Sequence, residues 1–376
     1  MGRFVSDLAR FISGFALATS VVPLAARAPL PDPVALSVQT PPPPSAGKAS
    51  VSLVMGRTET FEDWAVGCDN RLTCSAVALL PEGAARPYAI LLIITRAGGP
   101  DGAVTLQLIA ADPLEGKIEL VVDKVRKAEL KTLPDGVTLT GAEAMRIVQL
   151  LGSSFAFEIV QRKQVLVQPS LNGLPAALRF MDQQQGRVGA RDALIATGNG
   201  NPATARVAPT VLALPVPAGP GPAAENSVAP LNPAEESAAR RLAVCEGATT
   251  STYPLEMHAL DAAHSLVLLP CDAGAYNVSF VPLVASGAPG ARSFAVARFD
   301  AMPGFSGEPG APPLVVNARW NPRLGMLSSF AKGRGLGDCG TAESYRWDGE
   351  AFRLEEARAM PVCRGAWEWP RIYAAR

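Results

Sequence analysis

The chain has 376 residues, 48% of them hydrophobic, and 34 Lys plus Arg against 34 Asp plus Glu, for a formal net charge of zero. That length exceeds one ordinary domain, and the hydrophobic share is enough for packed cores. Balanced charge with no long run of one sign argues against nucleic acid as the main partner, since phosphate binding needs a basic excess or stripe, and it leaves no polybasic membrane tract or acidic tail.

At the start, Arg3 and Arg10 precede an apolar stretch from Phe11 to Ala26, interrupted by Ser13, Gly14, Thr19, Ser20 and Pro23 and ending among Ala25, Ala26 and Ala28. A basic start, an apolar run short of the roughly 20 residues needed to cross a bilayer, and a small-residue end describe a signal peptide over 1–26. Asp7 is unusual in such a start. Cleavage after Ala26 is preferred because a cut after Ala28 would be followed by Pro29; an uncleaved anchor is the rival. No cysteine follows the run, so a lipoprotein anchor is excluded. Ala89–Thr95 is apolar but strand-sized, so no transmembrane span is expected after cleavage, and the protein is expected to be periplasmic or secreted.

Residues 27–57 read as a tether. Seven prolines fall within 29–47, including Pro41 to Pro44 in a row, and such a run favours extended polyproline II. An N-terminal α+β domain is expected over 58–198. Ser75–Leu80, Ala89–Thr95, Val104–Ala110, Ile118–Asp123 and Phe155–Val160 are short, apolar or alternating, and bounded by Gly, Pro or Asp, as strands are. Thr140 with Glu143 three residues on predicts a capped helix lined by Met145, Val148 and Leu151. Asn172 opens a second helix, with Leu174, Leu178 and Met181 at helical spacing. Residues 199–234 read as a Pro/Ala-rich linker.

The C-terminal domain, 235–376, reads as all-β, a sandwich or a barrel-like fold. Tyr345–Trp347 and Ala351–Leu354 flank Asp348, Gly349 and Glu350, a hairpin signal. Asn321–Gly325 is a similar turn between Val315–Trp320 and Met326–Ala331. The fold class expected for the whole is mainly β with minor α.

The six cysteines, Cys68, Cys74, Cys245, Cys271, Cys339 and Cys363, fall as neighbouring pairs after the signal. In an exported chain this reads as a disulfide framework. Many pairings are possible; sequential pairing, Cys68–Cys74, Cys245–Cys271 and Cys339–Cys363, is the expectation. Zinc would need CxxC spacings or convergent histidines, and neither occurs. No metal or other cofactor is expected.

Several stretches resemble a bacterial family known as domain of unknown function 1176. In the first half they are Phe61-Glu62-Asp63-Trp64-Ala65-Val66-Gly67-Cys68-Asp69-Asn70 followed by Cys74, and Ala176 to Arg187 with its Asp182-Gln183-Gln184-Gln185-Gly186-Arg187 end. In the second they are Pro270-Cys271, Gly274-Ala275-Tyr276-Asn277, and Lys332-Gly333-Arg334-Gly335-Leu336-Gly337-Asp338-Cys339-Gly340. Tyr345-Arg346-Trp347-Asp348-Gly349 and Cys363-Arg364-Gly365 complete the set. The resemblance spans both predicted domains and implies export and cysteines at these places, but no catalytic residue. The first half also resembles, more distantly, the invasion-associated locus B family, secreted β-rich proteins with the same short cysteine loop after a tryptophan.

Chemistry-bearing residues are sparse. The only histidines, His258 and His264, flank Asp261, and the blander reading is a polar hairpin arm rather than two metal ligands. There is no Gly-x-Ser-x-Gly elbow for a serine hydrolase. Lys332, Arg334 and Asp338, interleaved with four glycines, form the candidate site. A cradle of backbone N–H groups with two cations would suit a small carboxylate or phosphate. Against it stands a tight turn pinned by Cys339, with Arg334 and Asp338 as an internal pair. Asp69-Asn70-Arg71 could present side chains to a partner or simply make an Asx turn. The aromatic residues Tyr345, Trp347, Phe352, Trp367, Trp369 and Tyr373 could stack a glycan or fill a core. The leading expectation is a non-enzymatic envelope protein that binds another envelope component or a small anionic ligand. A cell-envelope-modifying hydrolase is the alternative, with Asp338 and the aromatic C-terminus as the place to look.

Overall fold

The computed structural model describes residues 53–84, 88–207, 228–245, 253–304, 306 and 310–375. The proposed signal peptide, most of the tether and the middle of the linker lie outside them. Residues 50–376 form one compact unit.

The first half contains β1 (Thr58–Phe61), β2 (Trp64–Cys68), β3 (Cys74–Ala78), β4 (Ile90–Arg96), β5 (Val104–Ala110), β6 (Lys117–Val122), β7 (Val125–Lys131), β8 (Gly136–Thr140), α1 (Gly141–Leu151), β9 (Phe157–Gln161), β10 (Gln164–Val167) and α2 (Leu174–Gln184). Six strands form an antiparallel sheet in the order β1-β2-β3-β4-β5-β8, and four form a second in the order β10-β9-β6-β7. Both helices fall where the spacing predicts them. Thr140 sits at the N-cap of α1 but its side chain makes no capping bond, and the N-cap of α2 is Gly173 at φ 87° rather than Asn172.

The uniformly apolar β4 has a physical reason. Ile90, Leu92 and Ile94 face a core shared with α1 and α2, while Leu91 and Ile93 face a second cluster on the other side of the sheet. A strand covered on both faces has no polar face to alternate with.

The second half opens with a helix, α3 (Pro233–Ala243), inside the stretch expected to be linker and then all-β. The strands follow: β11 (Glu256–Ala259), β12 (His264–Ala273), β13 (Val278–Ser286), β14 (Ser293–Val296), β15 (Val315–Val316), β16 (Arg319–Asn321), β17 (Met326–Lys332), β18 (Gly340–Trp347), β19 (Phe352–Met360) and β20 (Arg371–Ala374). β11 to β14 pair in order with β15 on β13, and β16 to β20 form a second five-stranded sheet. Leu266, Leu268, Phe280 and Val315 of one sheet meet Leu327, Tyr345, Phe352 and Leu354 of the other in a common core, the arrangement of a sandwich of open sheets. Ala239 and Ala243 of α3 close the outer face of the first of these over Val267, Val281 and Leu283. The molecule is mainly β with minor α, as expected.

The halves meet through side chains. Ala65, Val77, Leu79, Leu91 and Ile93 share a buried cluster with Cys339, Met360, Ala366 and Trp369. All three disulfides join the expected partners: Cys68–Cys74, Cys245–Cys271 and Cys339–Cys363.

Candidate functional site

The loop between β17 and β18 carries Lys332, Arg334 and Asp338, and it is built on contacts that glycine alone permits. A Cβ on Gly333 would lie 2.6 Å from the Cys339 sulfur, and one on Gly340, at φ 131°, would lie 1.9 Å from the Ala331 carbonyl oxygen. The disulfide thus sits flush against the backbone of the loop's rising limb. The Gly333 amide donates to the Cys339 carbonyl at 2.8 Å and the Gly337 amide to the Arg334 carbonyl at 2.9 Å, closing the turn on itself.

Within it, the Arg334 guanidinium grips Asp338 through both carboxylate oxygens, Nε to Oδ1 at 2.7 Å and an Nη to Oδ2 at 2.5 Å. The Gly365 amide donates to Asp338 Oδ2 as well, at 2.7 Å. These bonds outweigh the cost of burial, so the Arg334 grip first, and the Gly365 amide after it, hold the Asp338 carboxyl below its ordinary pKa, while Asp338 raises that of Arg334. A bidentate pair of this kind is the strong form of the interaction. It occupies Nε and one Nη of a guanidinium whose side chain stays 44% exposed. Lys332 lies with its ammonium 5.9 Å above the Phe330 ring centroid, and Asn277 bonds its backbone at both N and O. The Tyr276 hydroxyl donates to the Gly333 carbonyl at 3.2 Å.

Braced in this way, the loop leaves its tip in solvent. Leu336 is 79% exposed and Tyr276 beside the loop 41%. The structure brings the three candidate residues together on one loop, with Arg334 and Asp338 paired to each other. Asp338 also lies within reach of the Cys339 and Cys363 sulfurs; joined to each other, these offer no thiolate to a metal.

The loop stands on the junction of the two halves. Arg364, between Cys363 and Gly365, donates to the Leu80 carbonyl at 2.7 Å, the Glu62 carbonyl at 2.7 Å and the Asp63 carboxylate. Asp63 also accepts from Ser170 at 2.6 Å, and the Trp64 indole donates to the Ser170 carbonyl. In the Cys68–Cys74 loop, Asp69 accepts from the Arg71 and Thr73 amides, making the Asx turn, and its other oxygen takes Arg371 at 2.8 Å. Asn70 pairs with the Ala374 backbone through both its amide nitrogen and its oxygen. Asp182 accepts from the Leu194, Ile195 and Ala196 amides, Gln185 donates to three carbonyls, and Arg96 and Arg187 converge on Asp192. The stretches that carry the family resemblance are therefore, in large part, the joinery of the fold.

Of the aromatic residues, Tyr345, Trp347, Phe352, Trp369 and Tyr373 are buried in the core. Asp261, in the turn before β12, accepts from the Trp347 indole at 2.7 Å, from two backbone amides, and faces His264 Nδ1 at 2.8 Å; burial raises its pKa, and the Trp347 bond and the others together outweigh that and lower it. His258 contacts Glu256 instead. Spacing gave no sign of two further carboxyls, Glu343 and Asp300, which both act on Tyr345. Glu343 is 8% exposed with Oε2 unpartnered among the described residues, and the Gly304 amide donates to its Oε1 at 3.2 Å. Burial pushes the pKa values of Glu343 and of Asp300 upward.

Residues 58–376 match the family described as protein of unknown function (DUF1176). The chain is 29% identical over 340 residues to the uncharacterized protein YpfG of Escherichia coli strain K12, covering 84% of this chain and 92% of that protein. No solved structure matches.

Proposed function

Since the chain belongs to the DUF1176 family, whose description names no chemistry, we propose from its sequence and geometry that it is an exported, non-enzymatic envelope protein whose glycine loop docks onto another envelope component. The observation that carries this is Leu336, 79% exposed at the tip of a turn held by a disulfide, a bidentate ion pair and a tyrosine. Bracing lowers the entropy lost on binding, and an apolar side chain held out on a rigid support is what an interface anchor needs. Lys332, Arg334 and Asp338 serve as the frame. Three disulfides support an oxidising compartment, periplasmic or secreted, and among the described residues no helix is long and apolar enough to cross a membrane. The signal peptide over 1–26, the division into 58–198 and 235–376, and the likeness of the first half to the invasion-associated locus B family belong to the same proposal.

The test is native mass spectrometry, without reductant, of the protein isolated from its own envelope fraction, wild type beside Leu336→Asp. A partner mass on the wild type that falls at least tenfold in the variant, with unchanged melting, supports docking. Equal retention sinks it.

One observation favours the hydrolase reading, the raised pKa values of Glu343 and Asp300. It moves the candidate proton donor away from Asp338, whose carboxyl is held ionised. Hydrolysis of envelope material that is lost in Glu343→Gln while the fold persists would establish it.

A further inference from the structure

Phe155 is 95% exposed, although it was expected to begin a strand; β9 starts two residues later. Its loop is nevertheless held firmly. Both the Phe155 and Ala156 amides donate to one oxygen of Asp123 at 3.0 Å, and the Asp123 amide donates to the Ala156 carbonyl at 3.0 Å. The Ser154 hydroxyl turns back to the Leu150 carbonyl at the end of α1. The Ala156 amide, then the Phe155 amide, keep the Asp123 carboxyl below its ordinary pKa.

Asp123 and Lys124 form the two-residue turn between β6 and β7, both at positive φ, 50° and 65°. Neither is glycine, so this geometry costs energy that the Asp123 bonds offset. Val122 pairs with Val125 on one side and with Phe157 on the other. The turn and Phe155 therefore leave the sheet at the same end, where Val125 is 54% exposed. Lys124 is exposed at the turn, and Lys127 is near enough to act on Asp123. Arg126 is engaged with Glu129 at 3.5 Å and Glu119 at 3.9 Å, whereas Lys124 and Lys127 have no ion pair among the described residues.

We propose that Phe155, with Val125 beside it and Lys124 and Lys127 flanking, is a membrane-contact tip that enters the headgroup region of an anionic bilayer. Three features favour lipid over a groove on a protein. The largest apolar group of the tip is also its most exposed, Phe155 at 95% against Val125 at 54%. Its backbone donors at 155 and 156 are already satisfied internally, which entry into an apolar phase requires and which leaves them unable to bond a polar interface rim. Lys124 and Lys127 set two cations at this end against the Asp123 carboxylate, which is engaged by the 155 and 156 amides, and lipid phosphates would meet those cations beside the apolar group.

The experiment is co-sedimentation of the exported, oxidised protein with vesicles of phosphatidylcholine alone or with phosphatidylglycerol added. The wild type is expected on the anionic vesicles. Phe155→Ser should weaken that binding about tenfold and Lys124→Gln about fivefold, both with unchanged melting, and Phe155→Trp should keep it and blue-shift its added emission. Binding by Phe155→Ser equal to wild type, or equal binding to both kinds of vesicle, overturns the proposal. So does absence of vesicle binding together with a photo-crosslink from position 155 to a single protein.

Discussion

At the scale of single residues, the informative feature is a difference between two acidic side chains of the same sheet region. Asp338 is held ionised by Arg334, while Glu343, on β18 a few residues on, is buried with one oxygen unpartnered. Burial penalises its charged form and raises its pKa, with the Gly304 amide opposing more weakly. Below the ordinary carboxylate range both folded and unfolded chains hold this proton and Glu343 costs nothing. As pH rises, the unfolded chain releases the proton first, so stability falls until the folded carboxyl ionises as well. Glu343→Gln is therefore expected to gain about 1 kcal/mol over wild type at neutral pH and nothing in acid. Denaturant titrations across that range check it, and a gap that does not grow with pH would refute the assignment.

Among elements, some were plain from sequence. Val104–Ala110 is a strand from end to end, and the turn at Asp348-Gly349 joins β18 to β19. Others were hidden for definite reasons. Val315–Trp320 reads as one strand but splits at Asn317, φ 45°, whose side chain bonds the Phe330 carbonyl and the Val278 amide. β15 thus pairs with β13 and β16 with β17, and one segment passes between two sheets. Helix α3 was masked by Pro233, which is welcome at a first helical position; the capping box of Asn232 and Glu235 was the signal available. Its buried residues are Glu235 and two alanines, Ala239 and Ala243, which do not stand out as an apolar periodicity. At the candidate site the pairing of Arg334 with Asp338 was legible from a spacing of four. The exposure of Leu336 was not, since one leucine among glycines has no period. The disulfides offer a test at this scale. Loop-closure entropy assigns about 3.5 kcal/mol to Cys339–Cys363 and about 2.4 kcal/mol to Cys68–Cys74, whose separations are 24 and 6 residues. Paired Cys→Ala substitutions should fall in that order in urea titrations.

For the whole molecule, the decisive contacts are those across the junction, and none was visible in sequence because the partners lie far apart. Arg364 reaches back to Leu80, Glu62 and Asp63, and both faces of β4 are covered only when the two halves are together. Arg364→Ala removes one donor from each of three acceptors at once, Asp63 keeping its bond from Ser170, and is expected to cost about 3 kcal/mol. Calorimetry on the wild type should show one transition for the described body. Two well-separated transitions would mean that the halves melt independently and that the junction adds little.

Asn70 meets its partner Ala374 across 304 residues of chain. The first cysteine loop therefore lacks this contact until the chain has reached β20. A chain arranged in this way can complete that contact only after residue 374 has been added, so the pairing belongs to the last stage of its folding.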